Sequence, residues 1–103
     1  IKIDVNEIKK KLLNKKQKEF FLAEILFELN KGEKLDQKLN LIKKTINEEN
    51  FSKAALLYSI SDTSRNGGQI GWIKETSISK TLLNDLTNLK LGTFSHPIKV
   101  PVF

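Results

Sequence analysis

The side chains able to do chemistry are few in this chain. His96 is its one histidine and it has no cysteine. That excludes disulfides, thiol nucleophiles and every His-pair or thiolate metal set, and it leaves a His-based triad without support. The carboxylates do not form a paired-carboxylate hydrolase. Glu48 and Glu49 read as surface charge, and Glu24 and Glu28 share a face only because strand alternation puts them there. Gly67-Gly68-Gln69-Ile70-Gly71 lacks the Gly-Lys-Ser/Thr ending of a phosphate loop and does not open a helix. Asp62-Thr63-Ser64-Arg65, taken alone, reads as an Asx turn in a loop of turn formers. No metal and no cofactor is expected from such a set.

Charge narrows the classes further. The formal net charge is +6, but Arg65 is the one arginine among 18 basic residues. Arginine rather than lysine dominates bidentate recognition of bases and phosphates, so a nucleic-acid partner is not expected. No apolar run approaches the roughly 20 residues of a membrane span, and membrane insertion is not expected. At 103 residues and 11.8 kDa the chain is one domain with one modest core. The chain starts at Ile1 and has no methionine, which reads as a piece of a longer protein.

The elements that must position these groups follow from periodicity. Val5, Ile8 and Leu12 fall at i, i+3, i+7, so residues 4–18 read as an amphipathic helix capped by Asp4, its lysines on a solvated face. Residues 20–28 are too apolar and aromatic for a surface helix and read as a buried strand, with a helical continuation as the main competitor. Leu35, Leu39, Ile42 and Ile46 mark a second helix ending near Asn47, and Phe51 to Tyr58 a short third one. An irregular loop, 59–68, ends in a glycine pair. Gln69 to Ile73 reads as a short strand. Ser77 or Ser79 could cap a fourth helix carrying Ile78, Leu82, Leu86 and Leu89, with Gly92 as its C′ residue. Residues 94–103 alternate and look extended, with two prolines that suit an edge strand. The expected class is α+β, a small sheet covered by about four helices. With three strands the sheet looks unfinished, and a fourth strand paired as a hairpin with the last one would complete it.

One ordered combination is specific. Phe51-Ser52-Lys53-Ala54-Ala55-Leu56-Leu57-Tyr58-Ser59 and a Ser/Asp/Thr loop precede Gly67-Gly68-Gln69-Ile70-Gly71-Trp72. A helix and then Leu91-Gly92-Thr93-Phe94-Ser95-His96-Pro97-Ile98 follow. This resembles the parvulin-type peptidyl-prolyl isomerases, with the pattern F-x-x-x-A-x-x-x-S-x-D, GG-x-[LI]-GW and L-x-x-G-x-x-S-x-P-[VI]. The Trp-bearing form looks like the SurA-like and PpiC-like periplasmic chaperone branch. The resemblance covers residues 20–103; residues 1–19 look like a helix joining the module to an upstream chaperone region.

The resemblance implies a four-stranded antiparallel sheet wrapped by helices, the last strand lying beyond this chain. It implies an apolar slot for a proline ring, walled by Ile70, Ile78 and Leu82 with Trp72 nearby. Asp62, with Ser61 as the alternative, takes the acidic or Cys position of the loop. The first-strand His of the family's His-Ile-Leu motif is replaced here: Ala23-Glu24-Ile25-Leu26 puts Glu24 there. The pocket Met and Phe map to Ile78 and Leu82, and His96 substitutes for neither family His and reads as solvent-facing. The expectation is a domain that binds unfolded or extended clients and X-Pro segments in the periplasm, with isomerase activity weak or absent. A non-catalytic client-binding or domain-docking module on the same fold is the alternative. The oligomeric state cannot be read.

Overall fold

The computed structural model describes residues 2–13, 18–95 and 97–100. Its architecture is α+β, an antiparallel sheet with helices on both faces. In chain order the elements are β1 (Lys2–Leu13), β2 (Lys18–Glu28), α1 (Leu35–Glu48), α2 (Phe51–Tyr58), β3 (Gln69–Lys74), α3 (Lys80–Thr87) and β4 (Ile98–Val100). Two short 3-10 turns, Asp62–Asn66 and Glu75–Ser77, flank β3. The sheet order is β3-β2-β1-β4.

Of the helix expected over residues 4–18, the described residues 4–13 are strand instead. Lys2–Leu13 is a strand that pairs antiparallel with β2 along its whole length, from Lys2 opposite Glu28 to Leu13 opposite Lys18, with a register shift between Ile8 and Lys10. The segment satisfies two periodicities. The helical one uses Val5, Ile8 and Leu12. The strand one alternates Ile3, Val5 and Glu7 against Asp4, Asn6 and Ile8. Long-range pairing decides, because β2 is an apolar strand whose edge groups need partners. Among the described residues the sheet therefore has four strands, and β4 pairs with β1, Ile98 opposite Asp4. An isolated bridge from Glu7 to Phe94 continues the contact.

The other elements fall where periodicity puts them, and the local chemistry is plain. Asn50 caps α2, its side chain accepting from the Lys53 N–H at 2.7 Å. Asn50→Ala should cost about 1 kcal/mol in a urea unfolding curve, the usual loss for a cap. Of the two candidate serines, Ser79 caps α3 by accepting from the Leu82 N–H. Gly92 is not the C′ residue of that helix: α3 ends at Thr87 with Asn88 as its cap, and Gly92, at φ +81°, turns the chain four residues later. His96 and residues 101–103 lie outside the described residues.

Strand alternation gives the sheet two different faces. Ala23, Ile25 and Phe27 of β2, with Val5 of β1, pack against Leu39 and Ile42 of α1 and Phe51, Ala54 and Ala55 of α2. On the other face Phe20, Leu22 and Ile8 pack against Leu86 of α3. Burial of such side chains contributes about 1.5–3 kcal/mol each, so both layers hold the sheet. The second face carries more than a core. Asp4, Asn6 and Glu24 also lie on it.

Candidate functional site

Register places the polar group. Even-numbered residues of β2 share one face, so Glu24 and Leu26 continue the line of Phe20 and Leu22. On β1, Ile8 lies opposite Leu22, Asn6 opposite Glu24 and Asp4 opposite Leu26. One half of this face is thus apolar and roofed by α3, and the adjoining half carries Asp4, Asn6 and Glu24.

The loop between α2 and β3 closes over the polar half. Where β3 ends, this loop takes over the edge of β2. The Glu24 N–H donates to the Gly68 carbonyl (2.8 Å), the Leu26 N–H to Ser59 Oγ (3.1 Å), and the Ile60 N–H to the Leu26 carbonyl (2.7 Å). Backbone groups of a strand edge are thereby satisfied without another strand. The same path carries two hydroxyls to one carboxylate. Ser61 Oγ donates to Glu24 Oε2 at 2.9 Å and Thr63 Oγ1 to the same oxygen at 3.0 Å, with the two hydroxyl oxygens 3.2 Å apart. Hydrogen bonds to an ionised acceptor are roughly twice as strong as neutral ones, so Glu24 is held in place by its neighbours from the loop.

Gly68 makes this approach possible. Its φ is +78°, and a Cβ there would overlap the Glu24 carbonyl oxygen and crowd Ala55 Cβ at 3.2 Å. The Gly-Gly pair is the device that brings Ser61 and Thr63 over Glu24.

Asp4 is the second carboxyl of the face. Asn6 Nδ2 donates to its Oδ2 at 3.4 Å, and its Oδ1 is buried with no hydrogen-bond partner. Burial, and then the charge of Glu24, push the Asp4 carboxyl up to about 7, against weaker opposing bonds from the Asn6 side chain and the Val5 backbone. Asn6 itself is buried, its N–H donating to Ser95 Oγ at 3.1 Å.

The residues singled out from the sequence divide. Glu24 and Ser61 are joined directly. Asp62, next in the chain, is exposed and opens the 3-10 turn outside this network. Ile78 and Leu82 are half-buried against the α3-side core. Ile70 sits at the register shift of β3 and is 40 % exposed. Trp72 is opposite Phe21, edge-on to its ring at 5.4 Å and 81°, on the sheet face away from Glu24. Sequence reasoning missed Asp4, Asn6 and Thr63. The two-residue alternation of Ile3-Asp4-Val5-Asn6 was the signal for the first two. It also missed a cavity of about 220 Å³ lined by Asp85, Asn88, Leu89, Phe94 and Ser95, at the far end of α3.

Chemically the arrangement offers one fixed negative charge, two hydroxyls and an adjoining apolar wall. Among the described residues no group of three or more metal-capable side chains occurs, and no helix is long and apolar enough to cross a membrane. A family model described as "Rotamase: PPIC-type PPIASE domain" matches residues 24–103. The chain belongs to the PPIC-type peptidyl-prolyl isomerase family. Searches of curated proteins and of solved structures return no match.

The match sharpens the geometry. The rotamase domain begins, in that match, at Glu24 itself, and takes in Ser61, Thr63, Ile70, Ile78 and Leu82. Asp4 and Asn6 lie outside it, on a strand that the sheet nonetheless places beside the first matched residue.

Proposed function

We propose that the rotamase domain binds extended, unfolded polypeptide at the α3 side of its sheet, with the ring of an X-Pro segment against Ile78 and Leu82 and the preceding residue towards Glu24. The clients in this reading are exported or outer-membrane chains in the periplasm, as the SurA-like resemblance implies. The observation that carries the reading is the junction on one sheet face between an apolar wall and a carboxylate held by Ser61 and Thr63.

Turnover in this reading is low. The barrier to rotation about a peptide bond, about 18–20 kcal/mol, comes from amide resonance. An apolar pocket that holds the twisted amide away from water lowers it. Here the polar neighbour of the pocket is an acceptor only, Glu24 in place of an imidazole. It can orient a backbone N–H, but it donates no hydrogen bond to the amide nitrogen as the resonance is lost.

A protease-coupled assay on a prolyl peptide tests the turnover, and NMR titration of an aromatic-rich peptide with and without proline tests the binding. Removing the Leu82 side chain beyond Cβ (Leu82→Ala) should weaken the proline peptide by about tenfold, the value of a buried apolar group of this size. Acceleration matching an active parvulin, and abolished by Ile70→Ala or Asp62→Ala, would sink the low-turnover reading. Equal affinity for peptides with and without proline would replace it with a docking surface indifferent to proline.

A further inference from the structure

We propose that Asp4, contributed by strand β1 from outside the matched rotamase segment, is a positioning residue of this site: it forms with Glu24 a carboxyl pair that carries a single negative charge when client binds. The proposal deepens the peptide-binding reading and rests on it.

Three observations of geometry support it. Asp4 and Glu24 share a sheet face one diagonal step apart, Asp4 opposite Leu26 and Glu24 opposite Asn6. At such spacing the side chains remain within reach of one another. Next, the hydroxyl donors are spent on one partner. Ser61 and Thr63 both donate to Glu24 Oε2, whereas Asp4 Oδ1 is buried and unpartnered. Ionised, that oxygen would be a buried charge without a donor, which costs far more than a neutral carboxyl in the same place. Finally, among the described residues no cation is paired with either carboxyl. Of the positions that share this face with Asp4, β1 supplies Asn6, β2 supplies Leu26 opposite it with Glu24 and Glu28 on the two diagonals, and β4 supplies Ile98.

The two carboxyls are therefore unequal sites. Glu24 Oε2 accepts from two hydroxyls, and Asp4 Oδ1 from none. Asp4, half-buried with its Oδ1 shielded and pushed up to about 7, keeps its proton below neutrality. A client that covers this half of the face then desolvates one charge rather than two. Above neutrality Asp4 ionises, repels Glu24 and hydrates the face.

Carboxyl-carbon NMR of the wild-type chain, read from pH 3 to 9, with titration of a neutral aromatic-proline peptide at pH 6 and 8.5, tests the proposal. Asp4 should titrate near 7. Peptide affinity should fall roughly three- to tenfold between pH 6 and 8.5, within the tenfold per pH unit that one proton allows. Asp4→Asn, which keeps the shape and cannot titrate, should abolish the pH dependence of binding. An Asp4 midpoint near 4, or a pH dependence that survives Asp4→Asn, overturns the proposal while peptide binding stands. Failure of the peptide to bind at any pH overturns the peptide-binding reading and the coupling together.

Discussion

Replacing Gly68 with alanine should remove about 3 kcal/mol of stability, a large share of the 5–15 kcal/mol that holds a domain of this size. Two costs combine. A non-glycine residue at φ +78° pays about 1 kcal/mol for the left-handed conformation. The added Cβ overlaps the Glu24 carbonyl, which is backbone and cannot swing aside as a side chain would. The loop must lift, and the bond from the Glu24 N–H to the Gly68 carbonyl is lost, about 1–3 kcal/mol when a strand-edge donor is left unpaired. Gly32→Ala is the control. Its φ is +87° but nothing lies within 4 Å of the new Cβ, so it should cost about 1 kcal/mol. Urea unfolding of the two variants separates steric from conformational cost, and equal midpoints would refute the close approach. The same variant should lose peptide binding, because Ser61 and Thr63 leave Glu24 with the loop.

Asp4 makes the stability of the domain depend on pH in an unusual direction for a carboxylate. Its folded-state value, about 7, lies above the ordinary 3.8 that it recovers on unfolding. Between those values the folded chain holds a proton that the unfolded chain has released. Unfolding free energy therefore falls as pH rises, by about 1.4 kcal/mol per pH unit at most, and levels off above about 7. The contribution is fully present below 3.8 and lost as pH passes through 7. Integrated over the window it amounts to a few kcal/mol, on the order of 4 as a ceiling, since the side chain keeps some contact with water. Asp4→Asn should flatten the profile across this window and leave the variant more stable than the wild type at pH 8. Denaturation midpoints at pH 4.5, 6, 7.5 and 8.5 measure it. Parallel profiles for the two proteins would mean that Asp4 ionises freely in the folded chain.

Much of the fold was legible because local and global preferences agree. The apolar stripe of α1 through Leu39 and Ile42 and the short apolar run of α2 point one way, and the aromatic, apolar density of residues 20–28 favours strand over the competing helix. β1 had two solutions. Residues 4–13 satisfy a helical stripe and a strand alternation alike, and no property of the segment itself chooses between them. The choice lies in β2, whose second edge needs hydrogen-bonding partners along its length. The site was legible to the same extent. Glu24 and Ser61 could be named from a motif, but they were assigned as substitutes for separate family positions. Only the loop geometry shows them joined, with Thr63 as a third member and Asp62 left outside.

The sequence by itself determined the class of chemistry. Lacking cysteine and a second histidine, the chain has hydroxyls, carboxylates and an apolar surface to work with. It also determined the rotamase pattern, since glycine pairs, caps and helix stripes are local features of ordered residue types. The tertiary structure alone decided which side chains share a face. A strand's face is set by register, and register depends on a partner elsewhere in the chain. That is why Asp4, twenty residues away from Glu24 and read as a helix cap, stands beside it, and why Trp72, four residues past Gly68, stands on the opposite face.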